Sequence, residues 1–142
     1  MHGLNISDKK LLELFNALPD ELPETGGIIG GVNNEITEYW IDNVSKENCI
    51  CKYAPNVDAI NDQIKKWSKN NIEFFGIFHT HYFGVKTLSE GDAIYMRKII
   101  DAMPSRVEAL YFPIMVFPDK EMVLYGIKKQ TMEIMKCNYR II

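Results

Sequence analysis

The sequence predicts a single α+β domain, residues 1–142, in which helices pack against one mixed β-sheet. The length of 142 residues is typical of one domain. Hydrophobic residues make up 46% of the chain and charged residues 25%. This composition is typical of a globular domain that buries a core without needing covalent cross-links. Segments with helical periodicity alternate with short apolar runs, and no repeat, low-complexity tract or linker divides them.

Three segments predict helices. Residues 7–18 (SDKKLLELFNAL) begin with the capping residue Ser7 and carry an apolar stripe at helical spacing. Residues 57–70 have a similar stripe, and residues 89–103 form a third helix that ends before Pro104. The apolar stripe consists of Leu11, Leu14, Phe15 and Leu18 in the first helix and of Ile60, Ile64 and Trp67 in the second.

Five segments predict the strands of the sheet. GIIGGV and EITEYWIDNV flank a turn at Asn33 and Asn34, after a break (ELPETGG) rich in Pro and Gly. IEFFGIF has few polar residues, which favours a central position in the sheet. ALYFPIMVF and EMVLYGIKK predict a hairpin across Pro118-Asp119-Lys120, and residues 45–56 are interpreted as irregular or as a short strand.

Charge and hydropathy exclude some classes of partner. The net charge is −3, and the densest basic groups are lysine pairs, so no concentrated patch for nucleic acid is expected. No apolar run is long enough to span a bilayer, and the N-terminus (MHGLNISDKK) lacks a signal-peptide stretch. We therefore expect a cytoplasmic protein with no membrane partner, acting alone or as a homodimer.

The three cysteines, Cys49, Cys51 and Cys137, show no disulfide spacing, which fits a reducing compartment. Cys49 and Cys51 are interpreted as small half-buried residues rather than as a metal site, because no second Cys or His pair lies nearby in the sequence.

Two histidines, His79 and His81, follow the predicted central strand one residue apart. Residues i and i+2 share a face of a strand, so both imidazoles should point the same way. Ser89 and Asp92 lie three apart at a helix start, which places them together on its first turn. Two nitrogens and one carboxylate oxygen would then converge with a fourth position open, as in catalytic zinc sites.

Each part of this pattern also has a simpler interpretation. A Ser-x-x-Asp sequence at a helix start is commonly only a cap, and a histidine at a strand end is commonly a surface residue. The conjunction of these residue types at fixed spacings favours the metal site. His2, close to the N-terminus, is assigned no role.

The pattern His79-Thr-His81, seven residues, Ser89, two residues, Asp92 resembles the JAMM motif of MPN+/JAB-domain metalloproteases, H-[S/T]-H-x7-S-x2-D. The stretch PETGGIIGG, residues 23–31, resembles the family's upstream glutamate element, with Glu24 as the glutamate. The resemblance implies the MPN/JAB (cytidine-deaminase-like) fold. One departure is Tyr82, where the family often has Pro after the second histidine; it touches no ligand but is expected to alter the adjacent loop.

The resemblance also implies roles. His79, His81 and Asp92 would bind Zn²⁺, which lowers the pKa of its water to roughly 7. Glu24 would act as general base and then acid, although it can also be interpreted as a surface carboxylate like Glu21. Ser89 would donate a hydrogen bond to the oxyanion, whereas Glu90 should point away from the metal into solvent.

The leading function implied by the resemblance is a zinc-dependent peptidase or isopeptidase that cuts the amide after the C-terminal tail of a ubiquitin-like or sulfur-carrier-like protein. The alternative is a non-catalytic MPN-type scaffold, against which the presence of all five site residues argues. A zinc deaminase is disfavoured because its His-x-Glu and Pro-Cys-x-x-Cys signatures do not occur.

Overall fold

The computed structural model describes residues 3–43 and 53–142. Within these ranges the chain forms eight strands and three helices. The strands are β1 Leu4–Ile6, β2 Gly26–Val32, β3 Glu35–Ile41, β4 Glu73–His81, β5 Ala109–Val116, β6 Glu121–Lys128, β7 Ile134–Cys137 and β8 Tyr139–Ile141. The helices are α1 Asp8–Ala17, α2 Val57–Lys69 and α3 Glu90–Ala102.

The predicted helices and the five predicted strands are confirmed, with ends that shift by a few residues. Ser7 caps α1, accepting a hydrogen bond from the Lys10 amide at 3.0 Å. The short strands β1, β7 and β8 were not predicted. His2, Cys49 and Cys51 lie outside the described residues, as does most of the segment 45–56; its residues 53–56 have no regular structure.

All eight strands form one sheet in the order β7-β6-β5-β4-β2-β3-β1-β8. The sheet is mixed, since β1 runs parallel to β3 and β8, and β4 runs parallel to β5. The predicted central position of β4 is confirmed, because it pairs with both β2 and β5. The α+β class with a single mixed sheet is confirmed with it.

The helices divide between the two faces of the sheet. Leu14 and Phe15 of α1 belong to one buried cluster with Phe78, while α2 and α3 contribute Trp67 and Ile100 to the cluster on the other face. Neighbouring residues of β2 separate accordingly, since Ile28 packs with the α2/α3 cluster and Ile29 with the α1 cluster. The two faces are both buried, which explains the near-continuous apolar sequences of β2 and β4.

A bulge at Gly76 sets the direction of the side chains at the end of β4. The pairing with β2 shifts register beside Gly76, so Phe75 packs in the α1 cluster and Ile77 in the α2/α3 cluster. A Cβ at Gly76 would collide with the carbonyl oxygen of Tyr111, so only glycine fits here. Beyond the bulge the alternation resumes, and His79 and His81 share the face of Ile77.

No helix in the described ranges combines the length and the apolar character that a membrane crossing requires.

Candidate metal centre

The two histidines at the end of β4 lie side by side. The Nε2 atoms of His79 and His81 are 2.9 Å apart, and their rings meet edge to face with centroids 4.7 Å apart. The predicted common face is therefore confirmed. Their side chains are 12% and 7% exposed, respectively, so they lie at the base of a depression that solvent still reaches.

Asp92 approaches the histidines from the first turn of α3. Its Oδ1 lies 3.5 Å from His79 Nε2, and its Oδ2 lies 3.3 Å from His81 Nε2. Asp92 and Ser89 also form a complete capping box: the Asp92 amide donates to Ser89 Oγ and the Ser89 amide donates to Asp92 Oδ2, each at 3.0 Å. Ser89 and Asp92 thus cap the helix, and the same contacts place the Asp92 carboxylate beside the histidines.

The donor atoms have the spacing that a small divalent ion requires. Among the described residues, the ligand atoms of His79, His81 and Asp92 all lie within 4.8 Å of one another. A tetrahedral zinc with bonds of about 2.0–2.2 Å separates its ligand atoms by about 3.3–3.6 Å. The observed separations of 2.9, 3.3 and 3.5 Å need only small side-chain adjustments to match. Two imidazoles and a carboxylate are also a donor set that zinc accepts.

A backbone contact fixes the tautomer of His81. Its Nδ1 lies 3.2 Å from the carbonyl oxygen of Val85. A carbonyl only accepts, so Nδ1 carries a hydrogen. Nε2 therefore donates toward Asp92 when the ring is protonated and presents its lone pair when the ring is neutral, which is the form that binds a metal. Outer contacts of this kind orient the histidine ligands of metal sites.

The electrostatics of the group favour a charged carboxylate. Burial alone would raise the pKa of Asp92, but hydrogen bonds from His79 and His81 outweigh it and hold that pKa well below its usual value. Burial also opposes protonation of His81, yet the adjacent Asp92 carboxylate raises the pKa of that imidazole. The site is therefore built to attract positive charge.

Glu24 lies directly before β2 and beside the same group. Its Oε1 accepts a hydrogen bond from the Tyr53 amide at 3.2 Å, and its charge contributes to the raised pKa of His81. Glu24, His79 and Asp92 line one cavity. This placement distinguishes Glu24 from Glu21, which is exposed and lines a different groove. Glu90 is exposed.

Two further contacts, neither of which the sequence predicted, hold Glu24 in place. Thr80 is fully buried, its Oγ1 accepts from the Thr25 amide at 2.9 Å, and its own amide donates to the Thr25 carbonyl at 2.8 Å. On the other side, Tyr53 donates its hydroxyl hydrogen to Asp42 Oδ2 at 2.8 Å. The only sequence signal for Thr80 was its place between the two histidines.

Replacing Thr80 by valine, which is similar in shape, should lower the free energy of unfolding by about 1–3 kcal/mol, because the Thr25 amide loses its acceptor. Urea denaturation measures the change. Thr80→Ser is the matched control, since it retains the hydroxyl and should recover most of the loss. Equal stabilities for the Val and Ser variants would show that the hydroxyl does not hold Thr25.

Tyr82, the residue directly after the second histidine, packs away from the histidines. It is 6% exposed, stacks on Phe117 at a centroid distance of 5.6 Å, and donates its hydroxyl hydrogen to the Pro19 carbonyl at 2.9 Å. The Tyr82 side chain therefore connects the end of β4 to the segment that precedes Glu24.

Comparison with solved structures identifies the fold. A protein of Desulfitobacterium hafniense, solved in solution, is 17% identical with a TM-score of 0.72, over 98% of this chain and 92% of that chain. A JAB1/MPN domain protein from Archaeoglobus fulgidus is 13% identical with a TM-score of 0.54, over 99% and 98% of the two chains. A structure described as a JAMM metalloprotease-like zinc site in the proteasome and signalosome is 14% identical with a TM-score of 0.53, again over 99% and 98%.

No family model and no curated protein matches the sequence. The structural likeness nevertheless spans nearly the whole chain, so the protein has the JAB1/MPN fold, as the sequence predicted. On this fold, it presents a His-His-Asp group able to hold a metal ion.

Proposed function

We propose that this protein is a zinc-dependent peptidase or isopeptidase that hydrolyses the amide after the C-terminal tail of a ubiquitin-like or sulfur-carrier-like protein. The observation that carries the proposal is the convergence of His79, His81 and Asp92, with Glu24 lining the same cavity as His79 and Asp92. The JAB1/MPN fold, shared with a JAMM metalloprotease-like structure, supports this assignment.

Zinc held by the three side chains would act as a Lewis acid and would make water a nucleophile at neutral pH. The other steps belong to the chain. Glu24 would take a proton from the attacking water and return it to the leaving amine, which requires a carboxylate at the edge of the site. Its hydrogen bond from the Tyr53 amide holds Oε1 in a fixed direction and leaves Oε2 for this exchange.

Ser89 is suited to stabilise the oxyanion. Its Oγ accepts the Asp92 amide hydrogen, so the hydroxyl hydrogen can be donated to a developing negative charge. Ser89 is exposed, as contact with a substrate requires. A nucleophilic role is disfavoured, since His79 and His81, the histidines close to Ser89 in the sequence, are committed to the metal group.

The surface around the site supports a protein substrate. Phe83 is 83% exposed, and with Leu22 and Pro118 it lines a groove of about 460 Å³. Phe83 follows His81 by two residues, and Leu22 precedes Glu24 by two, so the groove is built by the two segments that carry these site residues. Exposed apolar surface beside a reactive centre is typical of a binding face for another protein.

Phe83→Asp should lower kcat/KM on a full-length ubiquitin-like fusion roughly tenfold, and much less on the isolated tail peptide, because it removes an apolar anchor for the folded partner. The backbone at Phe83 has φ 60°, which Asp tolerates well, so folding should be preserved. The control is Leu12→Asp on α1, at an apolar residue 55% exposed. Equal losses on both substrates would assign Phe83 to the chemistry or the fold rather than to partner recognition.

Mass spectrometry of a ubiquitin-like fusion incubated with zinc-loaded protein tests the function itself. We expect one cut after the tail, abolished by a chelator and restored by zinc. Binding of the fusion without any cut, at either a peptide or an isopeptide bond, would instead identify the non-catalytic scaffold.

A further inference from the structure

A cavity of about 340 Å³ opens directly beside the metal group. Its volume is at the lower end of the range for ligand sites, about 300–1,000 Å³. Glu24, His79 and Asp92 lie on its lining. The rest of the wall is mainly apolar and comes from the segment before α2, from the sheet and from α3, including Tyr53, Ala54, Ile77, Tyr95, Met96 and Phe112.

The combination of an apolar wall with a few convergent polar groups is typical of a ligand site rather than of an imperfectly packed core. Glu24, His79 and Asp92 supply those polar groups, and the rest of the wall offers a large apolar side chain an apolar surface to bury against.

The position of Glu24 decides which part of a substrate reaches this cavity. As the acid that protonates the leaving amine, Glu24 must come within about 2.6–3.2 Å of that nitrogen, directly or through one water. Glu24 also lines the cavity. The residue that carries the leaving amine is therefore the one whose side chain lies next to the opening.

We propose that the cavity is a specificity pocket for one large apolar side chain, that of the residue directly after the scissile bond. This rests on the proposed function for its role in catalysis, although the pocket itself does not depend on turnover. Small residues at the end of the ubiquitin-like tail would occupy the narrow space before the bond. A substrate of this kind is a linear precursor with a residue such as Leu or Met after the tail.

Binding of product mimics tests the pocket without turnover. Leucine amide and methionine amide, titrated into zinc-loaded full chain, should shift the NMR signals of Ala54, Tyr95 and Met96 and should bind at least about tenfold more tightly than glycine amide. Ala54→Leu and Ala54→Trp fill the cavity from a half-buried position outside helices and strands, and should weaken binding progressively. Ala102→Trp, at the exposed end of α3, is the matched control and should bind like the wild type.

Cleavage of fusions tests the role of the pocket in specificity. With Leu, Met, Ala, Gly or Asp after the tail, kcat/KM for Leu should exceed that for Gly by about 10–200-fold, and Ala54→Trp should collapse this ratio. Equal binding of leucine amide and glycine amide would contradict the proposed specificity pocket. Cleavage without any preference would also contradict the pocket, but it would support the proposed peptidase activity. Selective binding that Ala54→Trp removes, with no cleavage of any fusion, would uphold the pocket and overturn the proposed function.

Discussion

Glu24→Gln is expected to retain the metal and to lower turnover by about 10²–10⁴-fold. The substitution removes the group that exchanges protons with the water and the leaving amine, but it removes none of the three metal-binding side chains. The amide oxygen of Gln can still accept the Tyr53 hydrogen bond that orients this side chain, so the fold around the site should persist. The measurement pairs the zinc content of the purified variant with its kcat on a ubiquitin-like fusion.

Glu133→Gln provides the control, because Glu133 is exposed and directly precedes β7, an edge strand that pairs with neither β2 nor β4. It should keep both metal and turnover. A Glu24→Gln enzyme within a few-fold of the wild type would show that another residue is the base. Loss of zinc in Glu24→Gln would instead show that the carboxylate takes part in holding the ion.

His81→Ala should lose zinc and activity together, down to the rate of the chelated wild-type protein. The wild type is expected to hold one zinc per chain through two nitrogens and one oxygen. Removing His81 leaves only His79 and Asp92, and it also removes the ring whose Nδ1 is anchored on Val85. Elemental analysis after dialysis measures the metal, and circular dichroism confirms that the variant is folded.

Glu90→Ala is the control for this experiment, since Glu90 is an exposed neighbour of the motif on the first turn of α3. It should keep one zinc per chain. A folded His81→Ala protein that retains full zinc would exclude His81 as a ligand, and a wild type that takes up no zinc would exclude the metal centre altogether.

Local patterns account for the parts of the fold that the sequence predicted. The common face of His79 and His81 follows from the alternation of side chains along a strand. The cap at Ser89 follows from the Ser-x-x-Asp pattern at the start of α3. The short strand β1 has no such pattern, because its three residues become a strand only by pairing with β3 and β8. The bulge at Gly76 likewise depends on the close approach of Tyr111 from another strand.

The supporting contacts of the site escaped prediction for the same reason. Thr80 meets Thr25 across 55 residues, and the Tyr53 amide meets Glu24 across 29. Hydrogen bonds at such separations leave no periodicity in the sequence. The cavity beside the metal group is assembled from five separate regions of the chain, so the sequence could not predict it either.

The capping box at the start of α3 has a consequence for redesign of the metal preference. Because Asp92 Oδ2 accepts the Ser89 amide, the rotamer of this carboxylate is set by the first turn of the helix, before any ion binds. Ordering the ligand then costs the ion little entropy, as in other preorganised sites. A cysteine or histidine introduced at position 92 to favour a softer metal would remove the acceptor of the Ser89 amide, although the amide of residue 92 would still donate to Ser89 Oγ. Such an exchange should therefore leave the helix start half-capped and the new ligand without the contact that orders Asp92.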